Sequence, residues 1–211
     1  IHVKYFSPLL EASNMLSNPC FNSDFTDWTV VGAQLSSEQV FAGKQSAIMD
    51  AGSSIQQSIV PDAGSTYFIC CYINPSLPIT SGTAGIYLDG ALISANIGEA
   101  NLVAETWSLF STVYTFATND TAQLSIKNTD AASFACDALM CINLTELYGL
   151  GNEPDQDWCE NNFHFFIDTA LVLAEIHDSP DICIRHHQFR LDIRLFHPQD
   201  SGGFRHPCRV V

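Results

Sequence analysis

Positive charge is scarce in this chain. Lys and Arg number 8 among 211 residues against 23 Asp and Glu, for a formal net charge of −15. The shortage is steepest early: the first 160 residues hold three of the eight cations, while the last 51 hold the other five and six of the seven His. An acidic body repels phosphate backbones, so nucleic acid is not an expected partner, and the charge reads first as colloidal solubility. Long apolar runs are missing too. The longest, Phe163 to Ile176, is interrupted by His164, Asp168 and Glu175, which excludes it as a bilayer span and sets the expectation of no membrane insertion.

No C-x-x-C pair occurs, and eight cysteines are too dilute in this length for a disulfide scaffold. Small buried thiols are therefore expected, with any oxidised pairing left open; Cys70 and Cys71 are adjacent in an apparent strand and must point to opposite faces. The nucleophile elbow G-x-S-x-G, H-E-x-x-H, the P-loop and G-x-G-x-x-G are all absent, as is any repeat at a solenoid period. The expectation is a protein without catalytic activity. The chain starts at Ile1 with no initiator Met and no leader pattern, which reads as a processed product or fragment.

What is present is short apolar runs punctuated by Gly, Pro, Asn, Asp and Ser. Between Leu16 and Leu147 these include WTVVGAQL, SAIMDA, SIQQSIV, STYFICCYIN, AGIYLDGALISA, SLFSTVYTFA, AQLSIKNT and FACDALMCINLTE. Several alternate with the two-residue period of a strand, and PDAGS, LDG and TND supply turns between them. About eight strands without an amphipathic helix predict a mainly β fold, an antiparallel jelly-roll β-sandwich. After Gly151 the character changes. Pro154 suits the first position of a helix, and Asp155, Asp157 and Glu160 complement its dipole, so a helix is expected from Pro154 to about Ile176. Residues Ile182 to Phe196 alternate again and predict one long half-buried strand, followed by a loose tail.

The order of these pieces carries a resemblance. LSNPCFNSDFTDWTV, GKQSAIMDAGSSIQQSIV with Gln56 and Gln57, GSTYFICCYINPS, WSLFSTVYTFA and FACDALMCINLTE resemble the successive strands of carbohydrate-binding modules of the galactose-binding-like jelly-roll class. The next segment, LTELYGLGNEP, is similar to the one that follows such modules in phage and prophage tail or minor structural proteins. The resemblance implies a virion or extracellular surface protein. It would comprise an N-terminal arm at residues 1–13, the jelly roll at 14–147 and a helix-plus-strand docking extension at 148–211. Its partners would be surface glycans or other virion subunits, with a homo-oligomer expected. The alternative is a carbohydrate-binding module of a larger secreted bacterial polysaccharide-active enzyme.

Sugar sites stack aromatic faces on pyranose rings and fix hydroxyls with a few polar groups. The candidates are Tyr87, Trp107 and Tyr114, with Tyr87 expected to be the exposed one; Trp28 and Trp107 match the family's framework tryptophans. Asp137 falls where the family often places a carboxylate that holds a structural calcium, and Asn22 stands where a Glu is usual, so these two are the candidate calcium ligands. Cys183, His186, His187, His197, His206 and Cys208 contain zinc-ligand types, but their spacing matches no finger. The sequons at Asn119 and Asn143 carry no weight.

Overall fold

The computed structural model describes residues 11–22, 24–164, 171–174, 182–183 and 194–195. The chain divides into two compact units, Ile1–Ala174 and Glu175–Val211. The first holds β1 (Glu11–Ser13), β2 (Thr29–Val31), β3 (Gln34–Ser36), β4 (Ser46–Met49), β5 (Ser53–Ile59), β6 (Thr66–Pro75), β7 (Ala84–Leu88), β8 (Ala91–Leu92), β9 (Ser108–Thr115), β10 (Ala122–Asn128) and β11 (Phe134–Asn143). Helices α1 (Leu144–Tyr148) and α2 (Gln156–Asn162) and strands β12 (Phe163–His164) and β13 (Leu171–Ala174) follow. In the second unit β14 (Ile182–Cys183) pairs antiparallel with β15 (Arg194–Leu195).

Two five-stranded antiparallel sheets form the body: β2-β5-β10-β7-β8, the polar-faced sheet, and β3-β4-β11-β6-β9, the covered sheet. This is the mainly β sandwich of jelly-roll type that the strand pattern predicts. Between the sheets lie alternate residues of each strand: Ile55 and Ile59, Leu124 and Ile126, Ile86 and Leu88 from one side, and Tyr67, Ile69, Cys71, Ile73, Phe134 and Cys136 from the other. The two-residue period dictates this, since successive side chains of a strand leave on opposite faces. Gln57 is one polar exception, along with Ser53 and Asn128. Its Oε1 accepts from Ser17 N at 2.8 Å and its Nε2 donates to Ser17 O and Asp27 O, tying the entry loop to β5.

The covered sheet is apolar on both faces. All ten residues of β11 are buried. Its outward residues Met140 and Ile142 join Phe68 and Cys70 of β6 beneath Leu144, Cys159 and Phe163, with Leu147, Tyr148 and Trp158 at the margin. Phe68 and Phe163 stack with centroids 5.6 Å apart. A residue of this size contributes about 1.5–3 kcal/mol on full burial, so the segment after β11 is held by its apolar face rather than by helix propensity.

Polar bonds fix how that segment closes. Asn143 caps α1 by accepting from Glu146 N at 3.0 Å, and its Nδ2 donates to Tyr67 Oη at 3.1 Å. Thr145 Oγ1 accepts from Thr66 N at 2.9 Å and donates to Glu153 Oε1 at 2.5 Å, while Glu153 Oε2 accepts from Gly151 N at 2.7 Å. Gly149 ends α1 at φ +86°, a conformation that only glycine adopts without strain. The stretch LTELYGLGNEP is thus a latch: its Thr and Glu meet across the glycine turn and pin it to the start of β6.

Two expectations need correction. The helix starts at Gln156 behind an Asp155 cap, so that Pro154 precedes it instead of opening it, and it ends at Asn162, while Leu171–Ala174 is a strand between β1 and β12. The reason is local. Asn161 and Asn162 are poor helix formers, Asn162 Nδ2 donates to Trp158 O at 2.7 Å, and Phe163 turns extended (φ −92°, ψ 121°) to reach Phe68. Nor is Ile182 to Phe196 one strand: Ile182–Cys183 pairs antiparallel with Arg194–Leu195, and residues 184–193 lie outside the described residues. The predicted tail also lies outside them.

Replacing Phe163 by Ala is expected to cost about 3–5 kcal/mol, read as a lower urea midpoint at unchanged slope. A loss under about 1 kcal/mol would mean that the cover contributes little to the fold.

Candidate functional site

With one outer face sealed, the polar-faced sheet presents the other. Its outward-pointing residues follow from register: Thr29, Gln56, Ser125, Tyr87 and Leu92 make one row, Val31, Ser54, Lys127 and Gly85 the next, and Ser58 with Gln123 a third, with Ser125 and Gly85 themselves buried beneath their neighbours. None of these residues carries a negative charge. Gln123 Nε2 donates to Ser58 Oγ at 2.7 Å, and the Gln56 amide makes no hydrogen bond to a described residue. Amides and hydroxyls in rows are the groups that exchange bonds with sugar hydroxyls, each offering both donor and acceptor.

Tyr87 and Lys127 stand at the centre of this surface. The Lys127 ammonium lies 5.1 Å from the centroid of the Tyr87 ring, a cation–π contact. Tyr87 was expected to be exposed and is not: it is 8% exposed, because Lys127 covers its ring and Leu92 lies opposite it. Burial, and then the charge of Asp130, raise its phenol pKa above the ordinary value. Leu92 leans over Gly85, where an added Cβ would come within 2.5 Å of Leu92 Cδ1 and 2.8 Å of Ser94 Oγ. The β8 side of the face is therefore walled. The turn between β7 and β8 uses Asp89 at φ +48° and Gly90 at φ +86°, and Asp89 Oδ1 accepts from Gln123 N at 2.8 Å.

The other predicted aromatics lie elsewhere. Trp107 is half-buried on the outer side of the covered sheet, edge-on to Phe41 at 5.5 Å, and Phe41 stacks on Tyr72 at 3.7 Å. Tyr114 turns toward the sandwich interior against Phe116 at 5.0 Å. Tyr87, Trp107 and Tyr114 do not make one platform. Trp28 is a framework residue, 8% exposed, with Nε1 donating to Asn18 O at 3.0 Å and its ring 5.7 Å from Phe21. The sequence reading missed Ser54, Ser58, Gln123, Ser125 and Lys127; their signal was the polar set of the alternation in SIQQSIV and AQLSIKNT.

Asp137 and Asn22 approach the same loop. Asp137 sits at a β-bulge of β11, where Ala138 takes φ +50°, and the bulge aims the carboxylate out of the sheet. Oδ2 accepts from Phe41 N and Ala42 N, each at 2.9 Å, and Oδ1 from Ala138 N at 2.7 Å. Asn22 is exposed, with its Oδ1 beside Gly43, where a Cβ would come within 2.4 Å. Calcium takes six to eight oxygens. Here both lone pairs of one Asp137 oxygen and one of the other are already spent on amides, and the described residues hold no cluster of three His, Cys, Asp or Glu suited to a metal. The residues present do not assemble a calcium sphere; Asp137 itself does the pinning of the 41–42 loop. Among the zinc-type residues, Cys183 falls in β14, with nothing described of its side chain, and His186, His187, His197, His206 and Cys208 lie outside the described residues.

No family model matches the chain, and no curated protein does. Solved structures resemble it at low identity and at TM-scores below 0.5. The C-terminal family 22 carbohydrate-binding module of Clostridium thermocellum Xyn10B is 15% identical, with 68% of this chain and 96% of that one covered and a TM-score of 0.46. A family 16 carbohydrate-binding module is 14% identical over 62% of this chain and 100% of that one, with a TM-score of 0.47. The enzymatically active domain of bacteriophage CBA120 tailspike protein 4 is 11% identical over 61% of this chain and 21% of that one, with a TM-score of 0.42. At these identities the likeness concerns the fold alone.

Burial raises the Asp137 carboxyl from its ordinary 3.8 to about 6, against the lowering effect of its three amide donors. A pKa higher in the folded than in the unfolded chain gives stability that is present in full below the unfolded value and lost as pH rises through about 6. Between pH 5 and 7 the wild type is thus expected to lose melting temperature relative to Asp137→Asn. A gap that does not change with pH would show that the three amides, not burial, dominate.

Proposed function

We propose that this chain is a glycan-binding module without catalytic activity, and that it binds through the outer face of the polar-faced sheet. The observation that carries this reading is the contrast between the two outer faces. One is sealed by Leu144, Cys159 and Phe163, whereas the other offers Gln56, Ser58 and Gln123 in register around Tyr87. Nothing on that face is arranged as a nucleophile with a base. The buried thiols are equally unsuited to catalysis: burial pushes Cys20, Cys141 and Cys159 up to about 12 and Cys70 and Cys136 well above the ordinary value, so all stay protonated.

Single-site sugar affinity is low, so such a module works by copy number, and the setting we favour is the surface of a virion. Support comes from the cysteines. Cys20, Cys70, Cys71, Cys136, Cys141 and Cys159 are buried free thiols, and Cys71 and Cys136 neighbour each other in the core without being joined. Unjoined neighbours fit folding in a reducing cytoplasm, where virions assemble, better than secretion as a module of an extracellular enzyme. In this reading residues 180–211 contribute to docking on other virion subunits or on copies of the chain.

Isothermal titration with a panel of oligosaccharides tests the face. Tyr87→Ala and Gln123→Ala are each expected to weaken binding at least about tenfold, Gln123→Ala with unchanged melting and Tyr87→Ala with a lower melting temperature but a retained fold, whereas Trp107→Ala leaves affinity within about twofold. Equal effects at Trp107 would move the site to the covered sheet. Thiol titration of the denatured, unreduced chain is expected to find at least the six described cysteines free. Fewer would favour the secreted setting. Deleting 180–211 is expected to abolish assembly, measured as mass in solution, and to leave the sandwich folded; normal assembly would remove the docking role.

A further inference from the structure

The inference concerns what the glycan must carry, and it rests on the reading of the polar face given above. Between residues 14 and 147 the chain has twelve Asp and Glu, two Lys and no Arg. One of those two cations, Lys127, sits near the middle of the face, on the central strand β10, with Ser54 and Gly85 as its cross-strand neighbours. In so acidic a body an ammonium has many carboxylates to meet. Lys127 makes no ion pair with a described residue; its recorded contact is the Tyr87 ring.

The acids that border the face each hold a backbone amide. Asp130 lies close enough to raise the Tyr87 phenol pKa, but its Oδ1 accepts from Thr83 N and lies 3.4 Å from Thr129 Oγ1, holding the turn after β10. Asp89, at the end of β7, is spent on Gln123 N. Each of the two carboxylates bordering the face holds a backbone amide through Oδ1 and neither ion-pairs with Lys127, which leaves the ammonium to an incoming group. A lysine over a tyrosine is a point charge on a flexible stem beside a ring face, so it can swing to an anion while the ring takes the apolar face of a sugar.

We propose that the face recognises a glycan bearing an isolated carboxylate, a uronic acid unit within or branching from an otherwise neutral chain, with Lys127 taking the carboxylate and Tyr87 the ring beside it. A densely charged polyuronate is disfavoured. There is one cation on the face to meet it, and the surrounding acids repel further charges within the screening length of ~8 Å at physiological ionic strength. The uncharged side chains of Gln56, Ser58 and Gln123 are left for the neutral units.

The test is a matched pair of ligands: an oligosaccharide of neutral residues carrying one glucuronic acid, and the same molecule with that carboxyl reduced to the alcohol. Both are titrated against the full chain and its Lys127→Gln and Tyr87→Ala variants at low and physiological salt. The acid form is expected to bind about tenfold more tightly than the reduced form, with the gap narrowing as salt rises and vanishing in Lys127→Gln. Tyr87→Ala should weaken both forms. If the reduced form binds as tightly as the acid, or if Lys127→Gln keeps the gap, the charge reading is overturned while the face stands, provided Tyr87→Ala still weakens both. If both bind but Tyr87→Ala changes neither, or if neither binds at all, the face itself is wrong and this inference falls with it.

Discussion

The fold depends on burying strand β11 on both sides. A strand whose ten residues are all buried needs a partner layer above and another below, and a two-sheet sandwich supplies one. The second layer has to come from the chain's own continuation. Leu144, Cys159 and Phe163 supply it, and the hydrogen-bonded latch of Thr145 and Glu153 sets where they land. Without that cover, Phe68, Cys70, Met140 and Ile142 would form an apolar patch on the outer sheet face. Patches of that kind drive association.

This constraint also separates the two outer faces. The covered sheet spends its outward alternation on apolar contacts, so the same residues are not available to water or ligand. The opposite sheet faces outward with serines, glutamines and a lysine, and the alternation that buries Ile55, Leu124 and Ile126 is what lines up Gln56, Ser125 and Lys127 behind them. One periodicity therefore builds both core and candidate site. That is why the site is spread over residues close in register and far apart in sequence.

The strands were legible in the sequence because alternation and turn residues are local signals. SIQQSIV reads as a strand on its own, and so does AQLSIKNT. Which strands neighbour one another is not local, and the site followed from that: Gln56, Ser125 and Tyr87 become a row only once β5, β10 and β7 are known to be adjacent. Aromatic content alone gave a poorer guide. Trp107 and Tyr114 are as sugar-like in composition as Tyr87, yet tertiary packing directs one toward Phe41 and the other toward Phe116. The helix after Pro154 was legible at its start, where capping is a side-chain signal at Asp155, and not at its end, where a long-range contact to Phe68 outweighs the apolar run that follows.

Edge strands complete the logic of the covered side. At the borders of the two sheets β2, β3 and β8 are only two or three residues long, which leaves few open backbone groups to template pairing with another chain. The exception is β9, with eight residues. There α2 is in place: Gln156 Nε2 donates to Ser111 O at 3.3 Å, and Glu160 Oε1 accepts from Ser111 Oγ at 2.5 Å. The helix that caps the apolar face thus also occupies part of the longest edge. An occupied edge cannot template pairing with another chain. In this chain the segment that completes the core contributes to that protection as well.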